Sequence, residues 1–114
     1  MELIPEWIEH FPGPITICDQ DGWIVYMNQS SVGAFRNSGG AGLIGSNLLD
    51  CHPEPSMSKL KDLLNSPQEN IYTIEKDGVK KIIMQIPWFS DDRFKGLVEI
   101  SKVIPSEMPH FLRK

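Results

Sequence analysis

Two Asp-Gly dipeptides constrain the fold of this 114-residue chain more than any other feature. Asp21-Gly22 and Asp77-Gly78 each separate two runs that are rich in β-branched and aromatic residues, and glycine accepts the positive φ angle that a two-residue hairpin turn requires. The sequence predicts strands over residues 15–20, 23–28, 70–76, 79–89 and 94–104. Because hairpins join antiparallel neighbours, these runs predict a single antiparallel sheet.

The residues between the two hairpins predict short helices. Residues 29–37 form one helix, the glycine-rich residues 38–42 form a loop, and Ser56 is the expected N-cap of a second helix. The apolar face of this second helix consists of Met57, Leu60, Leu63 and Leu64. The order of elements predicts an α+β fold, in which a five-stranded antiparallel sheet carries the short helices on one face. The first and last strands must then lie near the sheet centre.

Period-two alternation assigns side chains to the two faces of each strand. In the fourth strand it groups the large apolar residues Ile82, Met84, Ile86 and Trp88. In the fifth strand we expect Val98 and Ile100 to point inward and Glu99 and Ser101 to point outward. In the second strand, alternation places Ile24 and Met27 on opposite faces.

The first eleven residues carry a separate apolar stripe. Its members, at helical spacing, are Leu3, Ile4, Trp7, Ile8 and Phe11. We therefore divide the chain into an N-terminal amphipathic helix (1–12), a domain (13–104) and a C-terminal tail (105–114). We expect a homodimer that forms through the stripe on the helix.

Composition excludes several classes of protein. The net charge is −4, and lysines and arginines are scattered, which argues against a nucleic-acid surface or a polybasic membrane patch. There is no apolar run near the length of a membrane span and no signal-peptide pattern. Cys18 and Cys51 form neither a disulfide framework nor a zinc spacing. We therefore expect a cytoplasmic protein without a metal site, without a membrane and without nucleic acid as a partner.

The pair Cys51-His52 suggests a thiolate nucleophile next to a base. Nucleophilic catalysis requires the two side chains to meet in space, which sequence adjacency does not provide. A buried structural cysteine is the simpler interpretation. With no other acid–base constellation in the chain, we expect that the protein is not an enzyme.

The order of short motifs resembles a PAS domain. The matching segments are Ile15 to Gly22, Ile24 to Asn28, Leu43-Ile44-Gly45 and His52-Pro53-Glu54, followed by the three C-terminal strands. Together they span residues 13–104. The resemblance implies a sensory or dimerisation module that binds a cofactor, a metabolite or nothing, and that signals to an effector protein in cis or in trans.

The segment around His52 permits a narrower comparison. It is similar to heme-containing, carbon-monoxide-sensing PAS regulators, in which the histidine of the His-Pro-Glu segment ligates iron, and to PAS modules attached to hemerythrin-like domains. The first resemblance implies heme as a cofactor, with His52 as a conditional ligand. The second ligand in those sensors is a methionine, whose place falls near residues 70–72 here. None of these is methionine, and Met84 is the nearby one.

A concave sheet under short helices leaves a cavity between the layers, where small molecules bind. The residues predicted to line it are His52, Met57, Leu60, Leu64 and Met84. Three functions remain open: a ligand sensor, a heme-based gas or redox sensor, and a ligand-free interaction module. If His52 is not a heme ligand, we expect it to form a local hydrogen bond that orders the start of the helix.

Overall fold

The computed structural model describes residues 4–114, apart from the side chain of Cys51. The helices are α1 (Glu6–Glu9), α2 (Gln29–Ala34), α3 (Leu48–Cys51) and α4 (Ser56–Asn65). The strands are β1 (Ile15–Asp19), β2 (Ile24–Met27), β3 (Asn70–Lys76), β4 (Val79–Ser90) and β5 (Arg93–Val103). Two 3₁₀ turns, Arg36–Ser38 and Gly40–Leu43, occupy the segment predicted as the end of a helix and a glycine-rich loop. Within the described residues, no helix combines the length and apolar character needed to cross a bilayer.

The five strands form one antiparallel sheet in the order β2-β1-β5-β4-β3. The first and last strands therefore lie side by side at the centre, as the sequence predicts. The predicted fold class, an α+β fold built on a five-stranded antiparallel sheet with short helices, is confirmed.

The core lies between one face of the sheet and α4. Cys18 and Leu97, which pair directly across β1 and β5, pack with Leu60 and Leu63 of α4. Leu63 is completely buried. We call this side of the sheet the inner face and the opposite side the outer face.

The predicted faces of β5 are reversed in the structure, and the apolar set of β4 that includes Met84 lies away from the predicted cavity. Leu97 is an inner-face residue, so alternation also places Glu99 and Ser101 on the inner face. Gln85 of β4 lies on the same face, because it pairs directly with Glu99. Val98 and Ile100 lie on the outer face, together with Ile82, Met84, Ile86 and Trp88. Alternation identifies two sets of side chains but not which set meets the helices, and here the larger apolar set points away from them.

A bulge in β2 changes its alternation. Ile17 pairs with Tyr26 but Cys18 pairs with Ile24, so Val25 is an extra residue in this strand. Ile24 and Met27 consequently share the inner face, and both are buried. Strict alternation had placed them on opposite faces.

The turns agree only in part with their prediction. Asp77 and Gly78 have φ angles of 54° and 79° and join β3 to β4 as a two-residue loop. The first hairpin is one residue longer, because the Asp19 carbonyl accepts a hydrogen bond from the Gly22 amide. The Asp19 side chain also accepts hydrogen bonds from the amides of Asp21 and Trp23, which fixes this turn.

The N-terminal helix is shorter than predicted. α1 spans four residues rather than the predicted residues 1–12, with Pro5 at its N-cap position and His10 at its C-cap. Proline favours an extended conformation in the residue before it, which places the start of the helix after Ile4. Leu3, a member of the predicted stripe, lies outside the described residues.

Asn28 ties the N-terminal segment to the sheet. Its completely buried side chain accepts hydrogen bonds from the amides of Ile15 and Ser31 and donates to the carbonyls of Ile8 and Gly13. It thereby caps α2 and holds α1 against β1 with one amide group.

The start of α4 also differs from its prediction. Ser56 lies inside the helix, and Pro55 occupies the N-cap position without a side-chain cap. The carboxylate of Glu54 instead accepts hydrogen bonds from the amide and the hydroxyl of Ser58. A carboxylate suits a helix N-terminus because exposed amides and the helix dipole favour negative charge there.

Candidate functional site

One cross-strand row of the inner face carries four polar side chains. Asn70 pairs with Gln85, Gln85 with Glu99, and Glu99 with Thr16, so the row crosses four strands at one level. We call these four residues the polar row. A continuous polar strip beneath the helices is unusual, because this face otherwise forms the apolar core.

Hydrogen bonds orient the amides of the polar row. The Asn70 Nδ2 atom donates to Gln85 Oε1 at 2.7 Å, which leaves Gln85 Nε2 facing Glu99 Oε2 at 3.5 Å. At the far end, the Thr16 and Ser31 hydroxyls lie 2.5 Å apart. The Gln85–Glu99 contact is long for a hydrogen bond between an amide and a carboxylate.

Burial raises the pKa of the Glu99 carboxyl above its ordinary value. The amide of Gln85 and the nearby imidazole of His52 both lower this pKa, but burial outweighs them. The reason is that removal of water disfavours the charged form unless strong hydrogen bonds or an opposite charge replace it. Glu99 is thus an incompletely compensated acid in the middle of the sheet.

His52 is held by the end of α3. It occupies the C-cap position, and its Nδ1 lies 2.8 Å from the carbonyl oxygen of Leu48. Since the last carbonyls of a helix have no partner within the helix, this bond satisfies one of them. With Nδ1 donating, Nε2 is the ring nitrogen that can accept a hydrogen bond or bind a metal.

Two cavities meet at His52 and Glu99. The first, of about 270 Å³, lies beside α2, and we call it the α2-side cavity. Its lining consists of Thr16, Ile24, Met27, Phe35, Ser38, Leu43, Leu48, His52 and Glu99. The second, of about 380 Å³, lies beside α4 and is named the α4-side cavity. Its lining consists of His52, Pro55, Ser56, Lys59, Leu60, Asn70, Tyr72, Gln85 and Glu99.

The structure brings together only part of the predicted site. His52 and Leu60 both line the α4-side cavity. Leu64 packs against the core cluster, and Met57 is half-buried on α4 but lines neither cavity. Met84 pairs with Ile71 and Ile100 on the outer face, so the prediction that it lines the helix-side cavity is corrected. The roles of these residues in ligand binding stay predictions.

The polar row was missed by the sequence analysis. Thr16, Gln85 and Glu99 are each a single polar residue between two large apolar ones within a strand. Such residues normally point to solvent, and this was the basis for placing Glu99 outward. One signal in the sequence could have revealed the row. Three strands each carry a single polar residue within an apolar run, and these residues become neighbours once the strand order and register are known.

The position of Met84 also bears on heme ligation. His52 meets one requirement, because its Nδ1 is fixed by a backbone carbonyl and Nε2 remains available. Met84 lies on the outer face of the sheet, so it could not hold a heme together with His52. The residues at the position expected for a methionine ligand are Asn70, Ile71 and Tyr72, and none of them is methionine.

Comparison with known proteins gives the fold its name. No family model and no curated protein sequence matches the chain. Solved structures do. The PAS domain of BvgS from Bordetella pertussis has a TM-score of 0.63 and 17% identity, over 87% of this chain and 82% of that chain.

Two further solved structures match with somewhat lower TM-scores. The PAS domain of an HTR-like protein from Haloarcula marismortui has a TM-score of 0.60 and 15% identity, over 86% of this chain and 91% of that one. The Aer2 receptor from Vibrio cholerae, a dual PAS-heme oxygen sensor, has a TM-score of 0.56 and 16% identity, over 82% and 95%. The strand order, the short helices and these neighbours agree with the resemblance found in the sequence: the chain has a PAS fold.

Proposed function

We propose that this domain is a sensory module that binds a small molecule between the inner face of the sheet and helices α2 to α4. The observation that carries the proposal is that His52 and Glu99 line two cavities at once. One residue belongs to the helical layer and the other to a central strand. A ligand that contacts both therefore acts on the packing between the two layers.

The size and chemistry of the cavities support this proposal. Small-molecule sites are concave, occupy roughly 300–1,000 Å³, and combine an apolar lining with a few polar groups. The two cavities here are each near the lower limit and share the polar groups that separate them. A small metabolite fits either cavity, and a longer one fits both if it displaces His52.

A route for the signal follows from the position of Glu99. It lies on β5, which is a central strand and which leads directly into residues 105–114. Ser101, two residues further along, bonds through its amide to the carbonyl of Pro14, close to α1. Ligand binding shifts the balance between packing states, and the shift reaches an effector protein through either terminus.

Native mass spectrometry of the freshly purified protein tests the binding proposal. We expect a bound small molecule, and we expect Leu43→Trp to remove it, because Leu43 lines the α2-side cavity and the larger side chain fills it. Leu112→Trp, at an exposed position of the tail, is the matched control and keeps the ligand. A wild-type protein that is always free of ligand would instead favour the ligand-free interaction module.

Heme binding through His52 is the second candidate function. It is favoured by the hydrogen bond between His52 Nδ1 and the Leu48 carbonyl, which orients a ligating histidine. When bound, heme would supply gas or redox chemistry at its iron. The chain's own contribution would be His52, which would hold the iron through Nε2. Met84 lies on the outer face of the sheet and could not take part.

Reconstitution with heme distinguishes this candidate from the first. A Soret band that disappears in His52→Ala and persists in His110→Ala, a substitution at an exposed position of the tail, would support heme binding. If the protein stays colourless after reconstitution, the heme hypothesis is wrong and the proposal of a small organic ligand is unaffected.

A further inference from the structure

We infer that the ligand is a small molecule that presents a cationic nitrogen donor, such as an ammonium or amidinium group, to Glu99 and His52, and an apolar body to the α2-side cavity. This inference rests on the proposed function and narrows it to a chemical class. It is carried by the hydrogen-bonding capacity that the polar groups of the site leave unused.

Glu99 provides most of the unused acceptor capacity. An ionised carboxylate has about four lone-pair positions. Among the residues that the structure describes, one side chain donates to it, the Gln85 amide, at a distance of 3.5 Å. A charged donor on the ligand would form a much stronger bond, since charge-assisted hydrogen bonds are shorter and about twice as strong as neutral ones.

His52 adds a second acceptor on the same wall. With its Nδ1–H committed to the Leu48 carbonyl, the neutral ring presents Nε2 as an acceptor. An ammonium or amidinium group carries several N–H donors and can bond to the carboxylate and the imidazole together. When Glu99 is ionised and His52 is neutral, a ligand that brings only acceptors finds no matching donor on either residue.

The α2-side cavity provides the apolar part of the site. Ile24 and Met27 are buried beneath it, and Phe35, Leu43 and Leu48 close it from the helical side. An engineered apolar cavity of about 150 Å³ admits benzene. A cavity of about 270 Å³ therefore has room for one aromatic ring and a small substituent.

The charge of the two cavities favours the α2-side cavity for a cation. Among the described residues that line it, Glu99 is the acid and there is no lysine or arginine. The α4-side cavity has Lys59 in its lining, which would repel a cation and attract an anion. A carboxylate ligand in the α2-side cavity would face Glu99 without compensation, at a Coulombic cost that rises in a buried site.

Isothermal titration calorimetry with three probes of similar shape tests this inference. The probes are benzamidine, benzyl alcohol and benzoate, and the proteins are the wild type, Glu99→Gln and Glu75→Gln. Glu75 is an exposed residue of β3, so its substitution removes the same charge away from the site. Circular dichroism shows whether each variant is folded.

We expect the wild type to bind benzamidine at least ten-fold more tightly than benzyl alcohol or benzoate. Glu99→Gln loses this preference, whereas Glu75→Gln keeps it. If Glu99→Gln does not fold, the relative affinities of the wild type for the three probes still test the inference.

Equal binding of benzamidine and benzyl alcohol, tighter binding of benzoate, or an unchanged preference in folded Glu99→Gln would overturn the inference. Each of these results would leave the proposed binding function in place. Failure of all three probes would overturn the inference as well, and the proposed function is then decided separately by native mass spectrometry.

Discussion

The side-chain amide of Gln85 lies 3.5 Å from a carboxylate oxygen of Glu99, at directly paired positions of β4 and β5. The pair stands on the inner face, where Glu99 lines both cavities together with the half-buried His52. Two apolar residues would pack here without the cost of removing a carboxyl group from water. Proteins tend to keep polar residues at otherwise apolar positions where those residues have a function, and the two cavities next to this pair agree with such a role.

The first prediction concerns the pH dependence of stability. The pKa of Glu99 is raised above 4.5, mainly by burial, so the folded state holds this proton more tightly than the unfolded state. The protonated carboxyl group therefore stabilises the folded state fully when the pH is below the unfolded-state pKa. This contribution is lost as the pH rises through the folded-state pKa. Glu99→Gln cannot lose a proton. We expect its free energy of unfolding, relative to the wild type, to increase as the pH rises above 4.5.

Urea unfolding of the two proteins at a series of pH values measures this difference. Glu75→Gln, which replaces a carboxyl group at an exposed position of β3, is measured in parallel as the control. If the difference between Glu99→Gln and the wild type is constant with pH, or falls as the pH rises, burial does not control the ionisation of Glu99.

The second prediction concerns Asn28. Its amide group satisfies two backbone amides and two backbone carbonyls, so Asn28→Ala leaves these groups without their partner. A buried group without a hydrogen bond costs about 1–3 kcal/mol, and we expect a total loss of at least about 2 kcal/mol. Chemical denaturation measures it. Asn37→Ala, at an exposed site, should change stability by less than about 0.5 kcal/mol, and an equally small effect for Asn28→Ala would contradict the assigned role.

The third prediction concerns self-association. Trp7 on α1 is 67% exposed, and Ile4 just before the helix is 48% exposed, which leaves an apolar patch at the N-terminus. Tryptophan is frequent among residues that dominate interfaces, so we expect Trp7→Gln to weaken a homodimer at least ten-fold. Sedimentation equilibrium of the variant and of Trp23→Gln, which changes another exposed tryptophan, checks this. A wild type that remains monomeric at high concentration would rule out the predicted dimer.

Much of the fold follows from local signals in the sequence. The Asp77-Gly78 turn and the apolar runs around it define two strands, and the motif order from Ile15 to Glu54 identifies the PAS resemblance. The failures have physical causes. Pro5 shortens the first helix, and the bulge at Val25 breaks the alternation of β2.

The site was less accessible from the sequence, because it depends on strand register. Glu99 and Gln85 are fourteen residues apart, and Asn70 is fifteen residues before Gln85. They become neighbours only through the pairing of three strands. His52 was identified from its motif, whereas Met84 was assigned to the wrong face, since periodicity does not show which face a helical layer will cover.

The claim that the cavities at His52 and Glu99 form a ligand site has one most direct measurement. The side-chain NH₂ group of Gln85 gives its own signals in a ¹H–¹⁵N correlation spectrum. These signals can be followed as benzamidine or benzyl alcohol is added. We predict that at least one probe shifts the Gln85 side-chain signals, with smaller changes at outer-face residues such as Ile82. Shifts confined to the outer face, or no shift of the Gln85 signals with either probe, would contradict the account.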